Sequence, residues 1–274
     1  MLGQALETEF STAGWEVTGF DREELDVVDG LAVKKVLADL KPSLVINAVA
    51  INAVDKIETD SDVLAVSEIL NTRVPGELAA LCKENNILFV HYSSDYVFAG
   101  ELEGGYTEEA VLAPLNKYGQ TKAAGELAVQ YNGEKYYVIR LSKLFGKPAA
   151  SLGAKKSFVD TMLDLALGGK KDFDLVADEL SAPTYAPDLA HLTRTIVENK
   201  LPFGIYHGTN SGACTWYQFA QEIFTLKKIL VTLRPVPAST FPRPAARPHA
   251  SVLVNTKLPA QRSWQEALRE YLSL

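Results

Sequence analysis

Cysteine is almost missing from this chain: Cys82 and Cys214 are two residues among 274. Two thiols cannot build a disulfide framework, and no CxxC pair or His/Cys cluster offers a zinc site. No apolar run reaches the ~18 residues of a membrane span. Basic runs are lacking as well. With 27 Lys+Arg against 34 Asp+Glu and a net charge of −7, the chain does not fit a protein that lives on nucleic-acid phosphates. The opening residues lack the basic and then apolar segments of a secretory leader. Repeats and low-complexity stretches are also absent. What is left is an ordinary globular balance of 47% hydrophobic and 22% charged residues. That predicts one large domain or two intimate ones, with no nucleic-acid or membrane partner and a cytoplasmic location.

The first half alternates short apolar runs with longer helical patterns. Residues 15–20 (WEVTGF), 44–48 (LVINA), 87–93 (ILFVHYS) and 135–141 (KYYVIRL) read as strands. Helical spacing covers 31–40, ended by Pro42, then 63–85 and 115–130. A continuous apolar run such as LVINA suits a strand buried on both faces. Strand–helix alternation of this kind predicts right-handed βαβ units and a parallel sheet covered by helices. The pattern changes after about residue 145: a loop over 147–156, a helix over 158–167, and another after Pro187. Residues 231–249 hold Pro235, Pro237, Pro242, Pro244 and Pro248 with Arg234, Arg243 and Arg247. Five prolines forbid a helix or a central strand. By composition this is either a phosphate-recognising loop or a solvated linker. The expected division is 1–145 as a dinucleotide-binding domain and 146–274 as mainly a substrate lobe, with some segments returning to the first.

Tyr118 and Lys122 stand four apart in YGQTK, so on a helix they share one face. A cation beside a phenol favours the phenolate, which predicts a lowered pKa for Tyr118 and proton transfer near neutral pH. Taken alone, a YxxxK pair is common on helix surfaces. The strand before it ends in Ser93, Ser94 and Asp95, and ligands of open α/β sheets bind outside the carboxyl ends of strands. Ser94 therefore stands where a carbonyl could be hydrogen-bonded. A hydroxyl at a strand end followed by YxxxK is the Ser/Thr–Tyr–Lys arrangement of short-chain dehydrogenases.

The runs VINAVAINAVDKIE (45–58), HYSSDYVFAG (91–100), APLNKYGQTKAAGE (113–126), SAPTYAPDLA (181–190) and RPAARPHASVLVNTKL (243–258) closely resemble the dTDP-4-dehydrorhamnose reductases. These are extended short-chain dehydrogenases, and the likeness spans essentially the whole chain. It implies a Rossmann-type doubly wound α/β fold with a smaller C-terminal lobe, and NADPH- or NADH-dependent reduction of the 4-keto group of dTDP-4-dehydro-L-rhamnose. Tyr118 would be the general acid, Lys122 would hold the nicotinamide ribose, and Ser94 would polarise the carbonyl where the family usually has Thr. Asn47, Ala48, Ala50 and Asn52 would line the cofactor, Asn52 replacing a commoner Thr, with Asp26 and Val27 near the adenine. Asp95, Tyr96 and Lys143 would meet the substrate, and Arg243 and Arg247 its diphosphate. Many relatives carry Trp at the position of Lys143 and Gln at that of Glu179. His207 and Trp216 also match, and both are expected to pack in the core. The resemblance further implies a monomer or homodimer, with Mg²⁺ at the dimer contact of some members.

Asp21 suits the adenosine 2′-hydroxyl of NAD, while Arg22 suits the 2′-phosphate of NADP. The pair supports both. The family opens with a strand and a GxxGxxG-type loop that cradles the pyrophosphate; here only Gly3 matches, so that strand and the first glycines are expected to be missing and dinucleotide binding weak. Two other functions stay open: a related NAD-dependent sugar-nucleotide epimerase or dehydratase, and a non-catalytic regulatory subunit like that of methionine adenosyltransferase.

Overall fold

A computed structural model describes residues 1–102, 104–148 and 156–273. The first half holds α1 (Leu2–Thr12), α2 (Gly30–Leu40), β1 (Leu44–Asn47), α3 (Val54–Thr59), α4 (Ser61–Glu68), α5 (Val74–Glu84), β2 (Leu88–Ser94), α6 (Lys117–Asn132) and β3 (Tyr136–Leu141). The second holds β4 (Leu144–Phe145), α7 (Phe158–Leu167), β5 (Asp172–Val176), β6 (Thr184–Tyr185), α8 (Ala186–Glu198), β7 (Gly204–His207), α9 (Trp216–Lys227), β8 (Thr232–Val236) and α10 (Trp264–Ser273). Most of the loop expected over 147–156 lies outside the described residues.

Side-chain chemistry sets where the helices begin. Asp29, Asp60 and Asn116 accept backbone N–H groups at the starts of α2, α4 and α6, and Ser157 and Thr215 close capping boxes on α7 and α9. Each side-chain oxygen satisfies donors that the first turn leaves without partners.

The main sheet is parallel throughout, in the order β1-β2-β3-β7. Alternation along each strand sends side chains to two covering layers. Val90, Tyr92, Tyr137 and Ile139 pack against Leu2, Leu6 and Phe10 of α1 and Leu189, Leu192 and Ile196 of α8. Phe89 and Val138 face the other way, onto Val33 and Leu37 of α2 and Leu78, Leu81 and Cys82 of α5. A sheet covered by helices on both faces is the doubly wound α/β arrangement expected from the sequence. The later segments form a lobe of two small parallel pairs, β4-β6 and β5-β8, with α7, α9 and α10 packed around Phe145, Tyr185 and Phe219. Pro235 sits inside β8, which has a partner in β5 alone among the described residues. That edge position is one where a missing N–H is harmless.

One expected strand does not form. Residues 15–20 run as coil, because no described segment offers a ladder to them and β1 is the outer strand of the sheet. Their alternation survives nonetheless. Trp15 and Val17 pack on the α1 layer, with Trp15 edge-on to Phe10 at 5.3 Å and its Nε1 donating to Glu198 at 3.0 Å.

Between the layers lies a buried ion pair. Arg140 on β3 donates to both oxygens of Glu126 on α6, at 2.9 and 2.7 Å, with both side chains sealed from water. Arg140 also donates to the Glu108 carbonyl and lies over the Phe98 ring. The neighbouring His207 is fully buried, as expected, with Nδ1 on the Val254 carbonyl; burial lowers its pKa to about 4, so the ring is neutral.

Candidate active site

The carboxyl ends of β1, β2 and β3 lie side by side at one edge of the parallel sheet. At the end of β2, Ser94 Oγ accepts the Tyr96 N–H and donates to Asp95 at 3.0 Å. Asp95 also accepts from Ser142 at 2.9 Å and Ser251 at 2.6 Å. Burial pushes its carboxyl pKa up, and the three hydroxyls oppose that shift. With its oxygens committed to three hydroxyls, Asp95 fixes Ser94 and ties β2 to the segments after β3 and before α10.

Two close approaches seat α6 beside this turn. A Cβ at Gly119 would stand 2.2 Å from the Tyr96 carbonyl, and one at Gly125 would stand 2.0 Å from the Asn71 carbonyl. Only hydrogen fits at either position. The helix thereby presents Tyr118 and Lys122, both buried, to the strand ends. Tyr118 Oη donates to Asn52 Oδ1 at 3.3 Å, and its ring stands edge-on to Tyr96 at 5.5 Å. Lys122 Nζ donates to the Tyr92 carbonyl at 2.6 Å.

The electrostatics differ from the sequence expectation. Burial pushes the Tyr118 hydroxyl up to about 12, with the Ser94 hydroxyl working in the opposite direction. The ammonium expected to lower it is bonded to a strand carbonyl instead, and burial lowers Lys122 itself to about 8, against the pull of Glu126. Tyr118 is thus a protonated donor at neutral pH rather than a near-neutral titrating group.

The loop after β1 forms the opposite wall. Asn47 Oδ1 accepts the Val49 N–H at 3.0 Å, while Asn47 Nδ2 meets His91 Nδ1 at 3.2 Å. Burial holds His91 well below its ordinary pKa, with the Lys122 charge adding to the effect. His91 is therefore neutral, accepts at Nδ1 and carries its proton on Nε2. Ala48 and Asn52 are exposed and Ala50 is half-buried, so this loop offers backbone and small side chains to the cleft.

Sequence reasoning missed the residue that holds the loop. Asn71 is fully buried in a π-helical turn, Ile69–Arg73, between α4 and α5. Its amide accepts the Ile51 N–H at 2.9 Å and donates to the Ile51 carbonyl at 3.0 Å and to Thr121 Oγ1 at 3.1 Å. The one available signal was a polar residue within an otherwise helical pattern; π-turns often occur at functional sites.

The arginine loop closes the mouth. Arg247 pairs with Asp55 of α3 at 2.8 Å, Arg243 pairs with Glu179, and Asn116 donates to the Ala246 carbonyl at 2.7 Å. Trp216 is only partly buried, and its Nε1 donates to Glu179 at 3.2 Å. The expectation of simple core packing thus misses one edge of this ring. Lys143, with φ of 41°, donates to the Cys214 carbonyl at 2.7 Å and lies over the Trp216 ring at 4.5 Å.

The remaining expected cofactor residues come from the first 27 residues of the chain. Gly3 is exposed in the first turn of α1, with open space where a Cβ would stand. Asp21 caps an exposed turn through the N–H groups of Glu23 and Glu24, next to exposed Arg22. Asp26 accepts the Val28 N–H, and Val27 packs on the α2–α5 layer.

No helix among the described residues is long and apolar enough to cross a membrane, and they hold no cluster suited to a metal ion.

The whole chain, residues 1–274, matches the RmlD substrate binding domain family. It is 37% identical over 278 residues to a probable dTDP-4,6-dihydroxy-2-methyloxan-3-one 4-ketoreductase of Streptomyces antibioticus, covering 98% of this chain and 90% of that protein. A dTDP-4-dehydrorhamnose reductase structure from Clostridium acetobutylicum superposes with a TM-score of 0.92 at 36% identity, covering 99% of this chain and 95% of that one. One from Bacillus anthracis, in complex with NADP, gives a TM-score of 0.92 at 30% identity, with coverages of 99% and 95%.

Proposed function

We propose, because the chain belongs to the RmlD substrate binding domain family, that it is an NADPH-dependent oxidoreductase that reduces the 4-keto group of a dTDP-linked deoxysugar. The substrate we assign is dTDP-4-dehydro-L-rhamnose and the product dTDP-L-rhamnose. One observation carries the reading. Tyr118, Ser94 and Lys122 meet at the buried end of β2, and a pair of arginines stands at the mouth of the same cleft.

The residues present fit the nicotinamide half of a dinucleotide. A buried ammonium and phenol lie beside a loop of small residues, Ala48 and Ala50, whose backbone a flat ring can approach. Lys122, Tyr118, Asn47 and the 48–52 loop would hold the cofactor, with Gly3, Asp21, Arg22, Asp26 and Val27 toward its nucleotide end. Bound there, NADPH supplies the hydride.

The protein's own part is acid catalysis and orientation. Ser94 turns its one hydroxyl proton from Asp95 to the substrate carbonyl oxygen and polarises it, while Asp95 keeps the Ser142 and Ser251 hydroxyls. Tyr118, protonated at neutral pH, passes its proton to that oxygen as the carbonyl becomes an alcohol. The proton it gives up is the one that rests on Asn52 Oδ1 before substrate binds, and Lys122 stands one helical turn further along α6. The arginine loop supplies planar guanidinium donors for the diphosphate, and Lys143 and Trp216 border the sugar.

The test is turnover of dTDP-4-dehydro-L-rhamnose with NADPH and, separately, NADH. Oxidation of the nucleotide that depends on the keto sugar is expected, faster with NADPH. Reductant consumption that ignores the sugar would refute the assignment.

A further inference from the structure

The two arginines assigned to the diphosphate are each already engaged by a carboxylate. Arg247 Nη2 lies 2.8 Å from Asp55 Oδ2, while Asp55 Oδ1 accepts the Ala245 N–H at 3.3 Å. Arg243 binds both oxygens of Glu179, one of which also takes the Trp216 N–H. The carboxylates come from opposite sides of the cleft: Asp55 from α3 near the main sheet, Glu179 from the segment between β5 and β6. The arginine loop therefore spans the mouth, pinned at each end by an ion pair. Its middle is held by Asn116.

We propose that Asp55 and Glu179 are positioning residues that hold Arg247 and Arg243 in place of the substrate's diphosphate, and that binding exchanges these carboxylates for phosphoryl oxygens. The proposal rests on the reading of the cleft as a dTDP-sugar site. Each guanidinium at the mouth already faces a carboxylate, so neither offers an arriving diphosphate an unengaged charge. It must compete for the donors themselves. Carboxylate and phosphate oxygens suit the same planar fork, so the arginines can change partner without changing posture. Holding them in place beforehand lowers the ordering cost of binding. A phosphate lying beside an unmoved Asp55 or Glu179 would instead meet like charge. Asp55, 41% exposed beside an Arg247 that is 11% exposed, has room to swing into water, whereas Glu179 is 10% exposed and keeps the Trp216 N–H when Arg243 leaves it.

The experiment is calorimetric titration of dTDP into the wild-type chain, Asp55→Asn and Glu179→Gln over a salt series, with thermal melts to confirm folding. Exchange predicts that each variant binds dTDP more tightly than wild type at low salt, by about threefold or more. It also predicts a steeper loss of affinity with salt, because an uncompensated arginine charge is then available to screening. A purely structural carboxylate would give the opposite sign, as the loop would loosen. In turnover assays the KM for the keto sugar should fall in the variants by more than kcat changes. Equal or weaker dTDP binding by either variant overturns the exchange at the arginine it serves. No dTDP binding by the wild-type chain overturns the functional reading beneath it.

Discussion

At the scale of single residues, the candidate site gathers buried groups whose charge states burial sets. Tyr118 is held protonated and Lys122 is brought down to about 8. Because the folded value of Lys122 lies below the unfolded one of about 10.4, the fold penalises its charged form. Between those two values the unfolded chain binds the extra proton, so this group's contribution to stability improves as pH rises through that window. The prediction concerns Lys122→Met, which removes the buried charge. Relative to wild type, the variant should lose ground steadily as pH is raised from 8 to 10. Urea unfolding at several pH values checks it; a wild-type-to-variant difference that stays constant with pH would contradict it. That Tyr118, Lys122 and Ser94 gather near one strand end was legible in the sequence, because an i, i+4 pair and a strand-end hydroxyl are local patterns. The phenol's upward shift was not legible, since it depends on how deeply α6 is packed. Nor was the inward turn of Asp95, whose three hydroxyl partners come from residues 94, 142 and 251.

At the scale of elements, α6 decides where Tyr118 and Lys122 sit, and glycines decide how closely α6 docks. Gly→Ala in a helix interior normally stabilises by about 1 kcal/mol. At Gly125 the added methyl would meet the Asn71 carbonyl at 2.0 Å, which must push α6 off the π-turn that holds the 48–53 loop. Gly125→Ala should therefore lower the melting temperature. Gly3→Ala in α1, with open space around it, should leave it unchanged or raise it. Parallel melts of the two variants test this, and a stabilising Gly125→Ala would overturn the docking argument. Among the elements read from periodicity, β1, β2, β3, α6 and α7 fall within about two residues of the pattern. The exception is instructive. Residues 15–20 carry a strand's alternation but run as coil, because a strand exists only with a ladder partner and alternation does not record whether one is there.

At the scale of the whole molecule, the site draws on both halves of the chain. Ser94, Tyr118 and Lys122 come from the sheet and its covering helix; Glu179, Trp216, Arg243 and Arg247 come from the later lobe and its proline-rich loop. The reach of that loop back to Asp55 and Asn116 could not be read from composition, which left it equally a linker. On the function proposed above, this joint cleft reduces a dTDP-bound ketone with Tyr118 as the proton donor. The most direct measurement follows transfer of deuterium from NADPH labelled at the transferable position to C4 of the dTDP-sugar, in wild type and Tyr118→Phe, with dTDP binding measured alongside. Label at C4 is expected with wild type, and a rate about 10²–10⁴-fold lower with Tyr118→Phe while dTDP still binds. Label reaching C4 equally fast in both proteins, or never reaching it with wild type, would contradict it.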